Sequence, residues 1–292
     1  MKQQVVLGVD IGGSHITAAL VDLDNNRILE KSRFRARINS GGPAPEIFDG
    51  WCEVMQKSLA TAPHSGKIGI AMPGPFDYRA GISYMSGQGK YDGLYGLDVR
   101  EALFQRMRPL VDEIRFVNDA TCFLQGEARA GAAAGFDRVI GFTLGTGFGS
   151  ATFNSGTAHD ASYWQFPFLD GTCEDYFSTR WFVKRYAELS GFSVSNVKDI
   201  TADGRAPEKV EALFGEFTSN MVRFLSAVLG KNPYDAVVFG GNISNAANFF
   251  LPSLQRQLGA SVPVMISVLG ENSALIGSAS YYRVAEESQI SD

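Results

Sequence analysis

Gly8-Val9-Asp10-Ile11-Gly12-Gly13-Ser14 reads as a strand that ends on an acidic residue and runs into a two-glycine turn, with a second strand expected after it. Glycines let backbone N–H groups approach a phosphate closely, and a carboxylate beside them can hold Mg²⁺ through water. A plain β-hairpin carries the same signature, so the stretch alone leaves both readings open. It is not a Walker A loop, which needs Gly-Lys-Ser or Gly-Lys-Thr opening a helix, nor a dinucleotide fingerprint, because a strand follows. The pattern returns at Gly141-Phe142-Thr143-Leu144-Gly145-Thr146, again strand, glycine turn and strand. A period this long is no solenoid. It implies a duplicated α/β unit and two similar lobes. The second turn, Gly145-Thr146-Gly147-Phe148-Gly149, adds a hydroxyl that can bond a phosphate oxygen, and two facing glycine hairpins could clamp a triphosphate.

Outward from these turns, strands are expected at about 4–10, 15–21 and 27–37, and a helix at about 46–60 follows the Gly41-Gly42-Pro43 breaker. A buried strand over 67–72 ends in Pro73-Gly74-Pro75, the place where α/β sheets present ligands. Then come a helix over 99–107, a short strand at 114–117, a helix over 119–130 closed by Gly131, and strands at 139–144 and 148–153. The longest helix, 207–229, repeats Val210, Leu213, Phe214, Phe217, Met221, Phe224, Leu225 and Val228 at three- and four-residue spacing, so one face of it must be core. A strand at 236–239, a helix at about 248–258, a strand at 264–268 and a helix at about 273–286 complete the pattern.

The 292 residues suffice for two domains with separate cores, and 45% hydrophobic against 20% charged residues leaves little room for disorder. A net charge of -5 and a pI near 5.3 give no broad cationic field, so no nucleic-acid partner is expected. No apolar run approaches the roughly 20 residues that cross a bilayer, so no membrane partner is expected either. The start of the chain has neither a basic region nor a long apolar one, and its three cysteines, Cys52, Cys122 and Cys173, are scattered. A reduced, cytoplasmic protein is expected.

Val117-Asn118-Asp119-Ala120 ends a strand and starts a helix. Asp119 suits an N-cap. It equally suits a general base that takes a proton from a substrate hydroxyl, a role worth roughly 10²- to 10⁴-fold in rate, and spacing does not choose between them. Phe239-Gly240-Gly241-Asn242 is a third point where backbone can pass close to a ligand, or an ordinary strand-to-helix turn.

Asp10-Ile11-Gly12-Gly13-Ser14, Asn118-Asp119-Ala120 and Gly145-Thr146-Gly147-Phe148-Gly149, in this order, resemble the ROK family of sugar kinases, within the actin, Hsp70 and hexokinase superfamily. Gly69-Ile70-Ala71-Met72-Pro73-Gly74-Pro75 and Phe239-Gly240-Gly241-Asn242-Ile243-Ser244 also match, so the resemblance covers nearly the whole chain. It implies an α/β protein of two ribonuclease-H-like (actin-like ATPase) lobes with a ligand cleft between them, residues 1–118 plus 271–292 forming the small lobe and 119–270 the large one. It implies transfer of the γ-phosphoryl group of ATP to a hexose hydroxyl, with Mg²⁺ and a homodimer. Asp119 resembles the family's catalytic base, and Asn118 its sugar-binding neighbour. Asp10 resembles the carboxylate near Mg²⁺. Gly12, Gly13, Ser14 and Gly145, Thr146, Gly147 resemble the phosphate turns, and Gly240, Gly241 and Asn242 the adenosine side. Glu174, in Gly171-Thr172-Cys173-Glu174, resembles a glutamate that touches sugar. Gly74, in the Pro-Gly-Pro loop, and Lys90, in the loop after it, fall where relatives contact sugar.

Two departures matter. Many relatives carry a Glu-x-x-His pair that reads sugar hydroxyls and a cysteine cluster that binds zinc. Here the pair is matched by Ser162-Tyr163-Trp164-Gln165, and only Cys173 remains near the cluster. One thiolate cannot make a four-ligand site, so no zinc is expected. With Ser162 and Gln165 in place of a charged pair, a sugar other than glucose is expected, either another hexose or an N-acetyl sugar. The family's first turn usually ends in lysine, where this chain has His15. The rival reading is a sugar-sensing regulator without turnover. It would need the sugar site but not the base and phosphate turns, and all of these are present.

Overall fold

The computed structural model describes residues 4–259 and 262–290, with side chains up to Arg283. The chain divides into two compact units, one running up to Gly131 and resuming at Glu271, the other Ala132–Gly270.

The first unit opens with β1 (Val5–Ile11) and β2 (His15–Asp22), followed by β3 (Arg27–Ile28) and β4 (Phe34–Arg37). Helix α1 (Ala44–Leu59) leads to β5 (Lys67–Met72), a small hairpin of β6 (Phe76–Asp77) and β7 (Ile82–Ser83), α2 (Val99–Met107), β8 (Glu113–Asn118) and α3 (Asp119–Ala130). The sheet order is β3-β2-β1-β5-β8, with β4 also on β2. Strands β1, β5 and β8 are parallel and β2 is antiparallel to β1. The central strands β1 and β5 are buried almost end to end, the mark of parallel strands covered on both faces, whereas β4 at the margin alternates between half-buried and exposed.

The second unit holds β9 (Val139–Leu144), β10 (Phe148–Asn154), β11 (Thr157–Asp160), β12 (Pro167–Phe168) and β13 (Gly171–Thr172), then α4 (Cys173–Phe177), α5 (Thr179–Ser190), α6 (Val197–Ala202) and α7 (Pro207–Leu229). Strand β14 (Ala236–Gly240), α8 (Ala247–Leu258) and β15 (Val264–Ile266) complete it. Its sheet runs β11-β10-β9-β14-β15, with β9, β14 and β15 parallel and β10 antiparallel to β9. The five-strand order and directions of the first sheet are repeated, β4 alone having no counterpart, which is the structural parallel of the sequence echo. The apolar stripe expected on α7 is buried along its length. Its core is aromatic: Phe142, Phe148, Phe177 and Phe224 pack ring against ring with centroids 5.1–5.7 Å apart.

Helix α9 (Asn272–Ile290) returns the chain to the first unit. Cβ atoms at Gly8 of β1 and Gly69 of β5 would collide with the carbonyls of Leu275 and Ser278. Gly126 of α3 and Gly277 of α9 likewise stand against the backbone of Ser273 and Cys122. These glycines let α9 lie at backbone contact with both the sheet and α3, and dispersion at that range is strong. The lobe boundary expected at 118/119 therefore falls after Gly131 instead, because α3 is held by α9. The strand expected over 27–37 is broken by a 3₁₀ turn at Glu30–Ser32, where the Ser32 hydroxyl donates to Leu29 O and accepts from Leu20 N.

Candidate active site

In the first unit the pairing of β1 with β5 and β5 with β8 aligns Asp10 with Ala71 and Met72 with Asn118. The carboxyl ends of three parallel strands meet at one edge, where open α/β sheets bind ligands. Asp10, the Gly12–Ser14 turn, Gly74, Asn118 and Asp119 all lie at that edge.

The turn after β1 is tied down by its carbonyls. Tyr91 donates its hydroxyl to Gly12 O (2.6 Å), Ser40 donates to Gly13 O (2.7 Å), and Ile38 N donates to Ser14 O (2.9 Å). The N–H of Gly12 donates to His15 O (2.9 Å), while those of Gly13 and Ser14 find no acceptor among the described residues. Carbonyls engaged and successive N–H groups turned outward make an anion-binding backbone nest. The stem of Lys90 lies 3.5 Å from the position of a Cβ on Gly13, so the structure brings Lys90 to this turn. His15 accepts or shares a hydrogen bond with the Ser14 hydroxyl (2.8 Å).

At the end of β8 the cap is Asn118, whose Oδ1 accepts from Thr121 N (3.1 Å) and sits 3.3 Å from its hydroxyl. Asp119 is thereby released from the capping role that its position in sequence allowed. It is exposed, its Oδ1 accepting from Ala120 N (2.8 Å). The Asn118 amide donates one hydrogen to the Tyr78 hydroxyl (3.2 Å), which donates to Met72 O (3.1 Å). An amide has two hydrogens, so the second is available to a ligand. A Cβ on Gly74 would lie 3.3 Å from the Tyr78 hydroxyl, and Gly74, Tyr78 and Asn118 thus form one group. Neither Tyr78 nor the carbonyl anchors Ser40 and Tyr91 was singled out in the sequence. An aromatic two residues past Phe76 has no local signature of such a role.

Burial lifts the Asp10 carboxyl from its ordinary 3.8 to about 7, the nearby charges of Asp119 and Glu271 add to the rise, and Arg35 opposes it. Arg35 is itself held by both Glu271 oxygens at 2.6 Å. A half-buried carboxylate among like charges is a place where a cation is favoured, so Asp10 fits the neighbourhood of Mg²⁺.

The second unit repeats the turn. Gly145 O accepts from the N–H and the hydroxyl of Thr179 (2.8 and 2.9 Å), Gly145 N donates to Gly147 O (3.1 Å), and the N–H groups of Thr146 and Gly147 have no acceptor among the described residues. Glu174, at the start of α4, accepts from Phe148 N (3.2 Å), and its Oε2 lies 2.8 Å from a Cβ position on Gly147. The structure therefore sets Glu174 against the second turn. Beside β9, Gly240 ends β14. Gly241, at φ +83, passes over Leu144 so closely that a Cβ would meet its carbonyl, and exposed Asn242 opens a 3₁₀ turn.

Ser162 adopts a left-handed conformation with its hydroxyl donated to Asp160 (2.7 Å). Trp164 and Gln165 are exposed on the 3₁₀ turn that follows, while Tyr163 packs against Phe142 and Phe224. Cys173 is fully buried, which pushes its thiol up to about 12.

The profile of the ROK family matches residues 6–162, more than half of the sequence, and the chain belongs to that family. An N-acetyl-D-glucosamine kinase of Mannheimia succiniciproducens is 24% identical over 95% of this chain and 99% of its own length. The fold is that of the ROK hexokinase of Thermus thermophilus (20% identity, TM-score 0.79, 97% of this chain and 100% of that one). It is equally that of a ROK glucokinase of Streptomyces griseus solved with glucose and AMPPNP (22% identity, TM-score 0.74, 95% and 98%). This is the actin-like fold of two α/β lobes.

Proposed function

We propose that the chain is an ATP-dependent sugar kinase that transfers the γ-phosphoryl group to a hydroxyl of a hexose or N-acetylhexosamine, with Asp119 as the base. The observation that carries this reading is the pair of matching turns, with the carbonyls of Gly12, Gly13 and Ser14 engaged in one and those of Gly145 and Gly147 in the other, and two N–H groups in each without acceptors among the described residues. Gly12, Gly13 and Ser14 in one unit and Gly145, Thr146 and Gly147 in the other take phosphate oxygens. Gly240, Gly241 and Asn242 take the adenosine side. Membership of the ROK family and the relatives named as sugar kinases support the class.

In the mechanism, Asn118 donates its second amide hydrogen to the sugar and orients the reacting hydroxyl beside Asp119. The Asp119 carboxylate accepts the hydroxyl proton as the sugar oxygen forms its bond to the γ-phosphorus and the bond to the β-phosphate oxygen breaks, leaving ADP. Asp10 would hold Mg²⁺ through water, and the ion would supply charge neutralisation at the phosphate oxygens. Gly74, Lys90, Glu174, Ser162 and Gln165 complete the sugar and phosphate contacts. Zinc takes no part, and stoichiometric zinc in the purified protein would overturn that statement.

Among the described residues no helix is long and apolar enough to cross a membrane. The three cysteines are buried and unpaired, which suits the reducing cytoplasm. We assign the protein there, as a homodimer. The deciding experiment is ADP release with MgATP across a panel of hexoses and N-acetylhexosamines, with no-sugar and Asp119→Asn controls. Turnover on one sugar that is lost in the variant establishes the reaction. Absence of turnover on every sugar refutes it.

A further inference from the structure

Strand β8 is the last strand of the first sheet, and beside it lies a cavity of about 350 Å³ lined by Arg79, Arg100 and Arg115 with Tyr78, Phe116 and Tyr281. We propose that this cavity binds a phosphate monoester of a ring compound, at a site separate from the catalytic residues.

Arg79 is exposed and has no carboxylate partner among the described residues. Arg100 donates from its two terminal nitrogens to Arg79 O (2.7 Å) and Tyr78 O (3.0 Å), lies over the Phe116 ring, and has no carboxylate partner and no acceptor for its buried Nε among the described residues. Arg115 alone is paired, through Nε to Glu113 Oε1 (2.7 Å). Three guanidiniums thus face one carboxylate in a chain whose net charge is -5. The neighbouring cavity shares Arg100 and Arg115 but carries Glu101, Asp112 and Glu113, which directs an anion to the Arg79 end. A phosphate monoester brings about two negative charges and the oxygens that guanidinium forks bind best. The aromatic rings of Phe116, Tyr78 and Tyr281 offer a wall for a flat or ring-shaped remainder, and the volume falls in the usual range for a small-molecule site.

Tyr78 gives the cavity a line to catalysis. It borders the cavity, its carbonyl is held by Arg100, and its hydroxyl receives the Asn118 amide. On the reading of Asn118 and Asp119 as sugar and base residues, an occupant that shifts Tyr78 changes sugar affinity, and by linkage sugar changes the occupant's affinity equally.

The test is isothermal titration with two monoesters, glucose 6-phosphate and adenosine 5′-monophosphate, with and without a saturating non-hydrolysable ATP analogue and sugar to fill the catalytic site. The expected result is binding of at least one monoester that persists when the catalytic site is filled and weakens about tenfold or more in Arg79→Glu. The ester that binds identifies the source. The Arg79 side chain is exposed and makes no ion pair among the described residues, and Arg115→Gln is the second variant should melting show Arg79→Glu to be unfolded. No binding, binding abolished by the ATP analogue, or binding untouched by both variants overturns the proposal. A binding site confirmed in a protein without turnover would leave it standing and refute only the kinase reading.

Discussion

Replacing Asp10 by asparagine should make the protein more stable and leave it without phosphoryl transfer. The folded protein raises this carboxyl from 3.8 to about 7, chiefly by burial and then by the charges of Asp119 and Glu271. The rise from 3.8 to about 7, at about 1.4 kcal/mol per tenfold change in proton affinity, sets an upper limit near 4 kcal/mol, which solvent at this half-buried site trims to about 2–4 kcal/mol. The sign follows from the direction. A folded-state value above the unfolded one contributes stability that is fully present below pH 3.8 and lost as pH rises through about 7. Asparagine has no such loss, so Asp10→Asn should exceed wild type by about 2–4 kcal/mol at pH 8, a gain that shrinks to nothing toward pH 4. At about 2–4 °C per kcal/mol the difference is at least several degrees of Tm. Thermal melts from pH 4 to 8 in EDTA measure it. With MgATP added, wild type should gain stability that the variant does not. A variant that melts at or below wild type at pH 8 refutes the reasoning. The same ionisation sets the acid limb of kcat/KM, which should fall as pH drops below about 7.

Asp119→Asn should lower kcat by about 10²- to 10⁴-fold with sugar binding retained, and it should also reduce the stability that Asp10 loses on going from pH 4 to 8, by removing a like charge beside it; titration calorimetry and pH-dependent melts check both. Tyr78→Phe removes the acceptor of the Asn118 amide and the donor to Met72 O; steady-state kinetics should show sugar KM raised several-fold, about 1 kcal/mol for one hydrogen bond, with ATP KM unchanged. Gly145→Ala and Gly241→Ala should separate: no atom lies within 4 Å of a Cβ on Gly145, whereas Gly241 has φ +83 and abuts Leu144 O. The first should keep its Tm and lose ATP affinity, and the second should lose about 1–3 kcal/mol of stability, both read by melts with and without nucleotide.

Removing Asp119 lowers the folded-state value of Asp10, so ionised Asp10 costs less and the penalty itself shrinks. The loss still begins near the unfolded value, is complete at a lower pH than in wild type, and leaves the protein more stable at pH 8. The size of that gain at pH 8 is what the melts should compare.

Much of the fold was legible because its central elements are locally consistent. Strand β5, helix α2, helix α3, strand β9 and helix α7 fall at their expected bounds, each marked by an apolar run or stripe and a terminator. Helix α5 carries the same marks, with Trp181, Phe182 and Tyr186 buried and Gly191 left-handed at its end, although no helix was expected there; the short pairings β6–β7 and β12–β13 and the short helices α4 and α6 are too brief to show a period. The lobe boundary was misread because a strand-to-helix junction at Asp119 looks like a border in sequence. The close contact of α3 with α9 through Gly126 and Gly277 links positions far apart in the chain, and no local pattern encodes it.

The candidate site divides in the same way. Residue types and order pointed to Asp10, Asn118, Asp119 and the glycine turns, yet sequence could not tell whether Asp119 caps α3 or serves as a base. Geometry assigns the cap to Asn118, so a single helix start serves two purposes: one side chain satisfies the helix, and the next is left exposed at the carboxyl edge of the sheet. The turns show a similar division of labour. Their glycines were visible in sequence, but the groups that make them anion sites were not, because Ser40, Tyr91 and Thr179 act by occupying carbonyls and thereby leave N–H groups to face a ligand. A nest is specified as much by what holds its carbonyls as by its glycines, and those anchors lie in loops and helices 27 to 79 residues away along the chain.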